Sequence, residues 1–96
     1  MKFLAIEKQT AREKKLFTTE LLTSEAYRAH ELYLNGILRE IYFNDEHCAV
    51  LILECENREM AVGTLEGLPL AEHGFVRFEL MELKPYTGYE RIIIKR

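Results

Sequence analysis

The fold is decided between Leu32 and Cys55, in the stretch LYLNGILREIYFNDEHCAVLILEC. Asn35-Gly36 closes a helical pattern, because glycine enters the left-handed conformation of a helix stop at little cost. Ile37 to Phe43 then alternates Ile37, Arg39, Ile41 and Phe43 against Leu38, Glu40 and Tyr42, as a half-buried strand does. Asn44-Asp45-Glu46-His47 is turn chemistry, since Asn and Asp side chains bond their own backbone. Cys48 to Cys55 is apolar on both parities except at Glu54, the pattern of a strand covered on both faces. Two such strands joined by four polar residues predict a hairpin.

Working outward, Thr18 to Asn35 reads as one long helix, with Leu22, Ala26, Ala29 and Tyr33 as its apolar stripe. Glu20, Glu25, Arg28 and Glu31 lie largely off that stripe. Lys2 to Lys8 reads as a strand, with Phe3 and Ala5 on one parity and Leu4 and Ile6 on the other. The polar run Gln9 to Lys15 connects it to the helix. Beyond the hairpin, Asn57 is an N-cap for a second helix, Arg58 to Glu66, which buries Met60, Ala61 and Leu65. Gly67 ends that helix and Pro69 prevents its resumption. Phe75 to Leu83 is a further strand, Lys84 to Gly88 a turn, and Arg91 to Lys95 a short terminal strand.

The order β-α-β-β-α-β with a tail strand predicts an α+β, ferredoxin-like domain over residues 1–96. Its antiparallel sheet takes the order 4-1-3-2, because the first and third strands are apolar on both faces while the second and fourth carry charge. Two helices cover one face of such a sheet. The other face also reads as apolar and calls for a second copy of the chain, as does Ile92-Ile93-Ile94 in the tail.

Composition bounds the function. The 96 residues are 48% hydrophobic and 30% charged, and 13 Lys and Arg against 16 Asp and Glu give a net charge of −3. That balance argues against a nucleic-acid partner, whose binders carry a basic surplus. No run approaches the roughly 20 apolar residues of a membrane span, so no membrane partner is expected. Glu7 interrupts the apolar N-terminal run, which is too short for a secretory signal. Cys48 and Cys55 fall on opposite faces of one strand and cannot bridge each other. Free thiols fit a cytoplasmic protein.

Leu32 to Glu40, the hairpin that follows, and Leu65-Glu66-Gly67-Leu68-Pro69-Leu70 together resemble the muconolactone delta-isomerase-like family. The Gly-x-x-Arg step off the first helix and the Leu-Pro-Leu element carry the resemblance, which covers about residues 1 to 86. It implies a dimeric α+β barrel, a homodimer or larger homo-oligomer, with pockets near subunit contacts and neither metal nor organic cofactor. It also implies a cofactor-independent isomerase or lyase acting on a small carboxylated lactone or related anionic molecule. The terminal YTGYERIIIKR departs from the family's tail.

Such an isomerisation needs a base beside a carbonyl and a group to hold enolate-like charge. Arg39 matches the family pattern and is either a snorkelling edge residue or an anion holder. Glu40 and Tyr42, on the opposite face of that strand, are acid–base candidates if that face lines the pocket. Glu54, among aliphatics, is expected to have its pKa raised by desolvation, unless it reaches solvent or pairs with an arginine. His30 is either a proton carrier or a helix-surface residue. Arg77 and Glu79 read as a same-face ion pair, and His47 and His73 as solvent-facing. His and Cys show no metal-ligand spacing, and no phosphate loop or nucleophile elbow occurs. A non-enzymatic small-ligand binder, or an assembly subunit of the same barrel type, is the alternative.

Overall fold

The computed structural model describes residues 1–12 and 17–93. Strand β1 spans Lys2–Gln9, helix α1 Thr19–Leu34, β2 Leu38–Phe43, β3 Ala49–Glu54, α2 Arg58–Glu66, the short α3 Pro69–Glu72, and β4 Val76–Leu83. The four strands form one antiparallel sheet in the order β2-β3-β1-β4, the predicted order read from the other edge. The chain is α+β and ferredoxin-like.

Local chemistry sets the element ends. The Thr18 hydroxyl accepts the Leu21 N–H at 3.0 Å and the Asn57 side chain accepts the Met60 N–H at 2.8 Å, so both long helices start on a side-chain cap. Gly36, at φ +78°, turns α1 into β2 while Ile37 N–H returns to the Leu32 carbonyl at 3.0 Å. Gly74, at φ +79°, repeats the device between α3 and β4, where Phe75 N–H reaches the Leu70 carbonyl at 2.9 Å.

The sheet's two faces differ. Phe3, Leu53 and Leu38 are in register across β1, β3 and β2, as are Ala5, Leu51 and Ile41 one step along. Phe3, Ala5, Leu38, Leu51 and Leu53 pack with Leu32 of α1 and with Ala61, Leu65 and Leu68 into one core, so all the helices cover this face. The opposite face presents Leu4, Ile6, Val50 and Ile52, and among the described residues no helix lies upon them.

Five expectations need correction. Met60 of α2, read as buried beside Ala61 and Leu65, is 37% exposed. The buried side of α1 runs through Leu21, Glu25, Ala29 and Leu32; Leu32 is 1% exposed, whereas Leu22 is 46% and Tyr33 58% exposed. The predicted stripe is one residue out, because Leu21/Leu22 and Leu32/Tyr33 offer two adjacent stripes and the sheet takes the one with the branched aliphatics. In β2 the register shifts between Leu38 and Glu40, leaving Arg39 as an extra residue. Leu38, not Arg39, therefore shares its face with Ile41 and Phe43. Pro69 does not bar a helix but starts α3, at the position where its missing N–H costs nothing. Finally, Gly88–Arg91 is a 3-10 turn, and Ile92 and Ile93 follow without strand pairing; Ile94 and Lys95 of the expected tail strand lie outside the described residues.

The rotation of α1 has a direct test. Leu32→Ala should cost about 2–5 kcal/mol in urea denaturation, as fully buried leucines do. Leu22→Ala should cost less than about 1 kcal/mol. A larger penalty for Leu22→Ala would put the buried stripe back where the spacing alone placed it.

Candidate active site

Towards the β2–β3 turn, the apolar layer between α1 and the sheet opens into a cleft of about 320 Å³. The alternation of β1 explains why it opens there. Phe3 and Ala5 fill the helix-covered face at one end of the strand, and Glu7 and Gln9 continue that face at the other. On α1, Glu25 lies two helical turns from Leu32 and is carried inward with it. Phe17, Ala26, Ile41, Phe43 and Phe75 supply apolar wall, and Glu7, Gln9, Glu25 and His47 supply polar groups.

His47 is held there by the turn. The Asn44 side-chain oxygen accepts the backbone N–H of Glu46 at 3.0 Å and of Cys48 at 2.9 Å, and the Asn44 carbonyl accepts the His47 N–H at 2.9 Å. These bonds offset the left-handed backbone of His47, φ 60°, a conformation worth about 1–3 kcal/mol of strain in a residue with a side chain. The imidazole stacks on Phe43, centroids 4.2 Å apart at 16°. At another side of the cleft Phe17 packs edge-on against Phe75 at 4.6 Å, and the Arg12 guanidinium lies 4.4 Å over the Phe75 ring while bonding the His73 carbonyl at 2.8 Å.

Glu25 is the chemically distinctive group. It is partly buried, and its carboxylate accepts the Leu70 N–H at 2.9 Å. Desolvation raises its pKa above the ordinary 4.5, and the negative charge of Glu7 pushes it the same way; the Leu70 amide opposes both. A carboxyl tuned upward in an aromatic-walled cleft is suited to take and return protons.

None of the five residues singled out in the sequence lines this cleft: Arg39 lies within reach of the Glu54 charge, Glu40 meets Tyr42, and His30 stands apart. Arg39, exposed at the β2 bulge, donates from Nε to the Gly36 carbonyl at 2.6 Å. Glu54 pairs with the Met1 ammonium at 2.7 Å, and that bond holds its pKa low, with help from the charges of Arg39 and Lys2. The expected rise at Glu54 is thus reversed, because a cation reaches a carboxylate that its aliphatic neighbours do not enclose. Glu40 accepts the Tyr42 hydroxyl at 2.7 Å on the uncovered face, and this bond and charge raise the tyrosine pKa. His30 lines a shallow groove on the outside of α1. Arg77 and Glu79 are the expected exposed pair, 3.8 Å apart. Cys48 and Cys55 are free and buried, and burial raises the Cys55 thiol. Among the described residues no three His, Cys, Asp or Glu side chains gather into a metal-holding group.

Sequence reasoning missed Glu25 and Glu7; His47 is exposed, as expected, and stands at the rim of the cleft. The signal was the stripe Leu21-Glu25-Arg28-Leu32, which places two ionisable residues between two leucines on one helix face.

The sign of the Glu25 shift sets a pH dependence. Folding raises this pKa, so the protonated carboxyl stabilises the fold; that contribution is complete below 4.5 and is lost as pH rises through the folded value. Glu25→Gln never ionises. Its stability relative to the native chain should therefore increase as pH rises from 4.5 through the folded value and then level off, in denaturant titrations. A difference that is flat across this range would mean that Glu25 is solvated like a surface carboxylate.

No protein-family model and no curated protein sequence matches the chain. Among solved structures, the chain is similar to the 5-chloro-2-hydroxyhydroquinone dehydrochlorinase of Burkholderia phenoliruptrix, in its complex with 2,5-dihydroxybenzoquinone. The TM-score is 0.57 at 18% identity over 92% of this chain and 98% of that one. At this identity the likeness concerns the fold.

Proposed function

We propose that the chain is an enzyme that moves a proton on a small ring-shaped organic molecule held between α1 and the sheet. The reaction class is isomerase or lyase, and Glu25 is the proton carrier. The observation that carries this reading is a desolvated carboxyl in an aromatic-walled cleft with Gln9 and His47 in the same wall. The Glu25 carboxylate takes a proton from a ring carbon beside a carbonyl. The C–H electron pair becomes part of an enolate, whose oxygen is met by an N–H of Gln9 or His47. In an isomerisation Glu25 returns the proton to a different carbon; in an elimination the electron pair expels a leaving group instead. The muconolactone isomerase-like sequence pattern points to the first outcome. The structural neighbour, a dehydrochlorinase by name, points to the second.

A non-enzymatic binding role is the second reading, favoured by one contact. The Glu25 bond to Leu70 N–H ties α1 to the first turn of α3, which gives the carboxylate a structural task.

The uncovered sheet face supports a homodimer. Leu4, Ile6, Val50 and Ile52 form an apolar strip there, and Met81, in register with Leu4, is 60% exposed in the single chain. In that dimer Glu40 and Tyr42 face the partner copy. Light scattering should give twice the 11.3 kDa chain mass, and Met81→Lys should shift it towards a single chain with unchanged circular dichroism. A native protein that runs at 11.3 kDa would reject the dimer.

The chemistry is tested by ultraviolet-monitored turnover of muconolactone and of 5-chloro-2-hydroxyhydroquinone. Glu25→Gln should lower kcat by about 10²- to 10⁴-fold. Arg39→Ala should stay within about threefold of the native rate. Loss in Arg39→Ala with full rate in Glu25→Gln would move the chemistry to the strand end. Ring binding with no turnover of either compound would leave the binding role.

A further inference from the structure

We infer that the cleft takes neutral, hydroxyl-bearing rings and rejects carboxylates, so that of the two turnover substrates above the hydroxyhydroquinone reacts and muconolactone, a carboxylate, does not. This rests on the cleft being the substrate site, and it names the substrate class. Two of its polar wall groups, Glu7 and Glu25, carry or acquire negative charge, and no Lys or Arg lines it among the described residues. Among the described residues Arg12 reaches one of its walls, and it is committed to the Phe75 ring at 4.4 Å and to the His73 carbonyl at 2.8 Å. Arg39, which the family resemblance offers as a carboxylate holder, is bonded to Gly36 at the β2 bulge and does not line the cleft. A ligand carboxylate would thus add a third negative charge beside two carboxyl groups, and like-charge juxtaposition in a partly desolvated site is strongly unfavourable.

A hydroxyl is the complementary group. It donates to a carboxylate oxygen in a charge-assisted bond, and Glu25 has a second oxygen besides the one that accepts Leu70 N–H. When Glu25 is protonated it donates in turn to a ring carbonyl, and Gln9 offers both an amide donor and an acceptor. The walls suit a flat body: Phe43 and His47 stack on one side, and the Phe17–Phe75 pair stands on another. The volume fits as well. An apolar cavity of about 150 Å³ holds benzene, and about 320 Å³ leaves room for substituents.

Hydroquinone and 4-hydroxybenzoate test this, because they share a ring and a para hydroxyl and differ in one hydroxyl against one carboxylate. In isothermal titration near pH 7, hydroquinone should bind at least about tenfold tighter. The ratio should shrink in Glu7→Gln, through tighter binding of 4-hydroxybenzoate. Ala26→Trp, placed on the exposed side of α1, should fill the cleft and abolish binding of both. Equal or tighter binding of 4-hydroxybenzoate, lost in Ala26→Trp, would overturn the substrate class and leave the cleft as the site. Failure of both rings to bind, or binding untouched by Ala26→Trp, would overturn the cleft reading itself.

Discussion

The structure depends on how Leu32 sits against the row formed by Phe3, Leu53 and Leu38. These side chains are all 2% exposed or less, and they meet where α1 ends and β2 begins. Gly36 makes that meeting possible, because its left-handed φ brings β2 back beneath the helix within two residues. With the C-terminal end of α1 fixed, its rotation is fixed along its whole length. Every residue seven positions earlier is then aimed at the sheet within about 20°. Glu25 is that residue. The desolvated carboxyl is a consequence of packing a leucine.

The layer between helix and sheet changes character along the strands. At one end Phe3, Ala5, Leu51 and Leu53 exclude water; at the other the same face of β1 carries Glu7 and Gln9. The charge of Glu7 disfavours ionisation of Glu25 across one cleft, an arrangement that packing alone does not call for. The Leu70 amide recovers part of that cost and ties α3 to α1. An apolar residue at position 25 would pack the layer more tightly and close the cleft. The partly buried carboxyl at this place is what the proposed chemistry would draw on.

Much of this was legible in the sequence, for physical reasons that differ by element. The hairpin, the side-chain cap at Asn57, the Gly36 stop and the order of the strands follow from local turn chemistry and from period-two alternation, and they fall where those signals put them. The rotation of α1 did not follow, because adjacent leucine and aromatic pairs make two stripes equally periodic and only the sheet chooses between them. That one-residue ambiguity hid Glu25. The bulge at Arg39 leaves no trace in the alternation, since Leu38 and Ile41 are apolar in either register. Glu54 looked desolvated because its sequence neighbours are aliphatic, yet its spatial neighbours are an ammonium group and two basic side chains. His47 sits in a polar turn that reads as solvent, and it is exposed there, stacked on Phe43 at the rim of the cleft.

The two kinds of pKa shift in this protein have different consequences. Glu54 and Tyr42 are shifted chiefly by a specific partner in an open setting, so water and salt screen them and a ligand elsewhere leaves them unchanged. Glu25 is shifted chiefly by loss of water, and it is still only partly enclosed. In the reaction proposed above, a ring that fills the cleft would remove more of that water and push the proton affinity of the carboxylate in the same direction. Binding and proton transfer would then be coupled through desolvation, without any moving part.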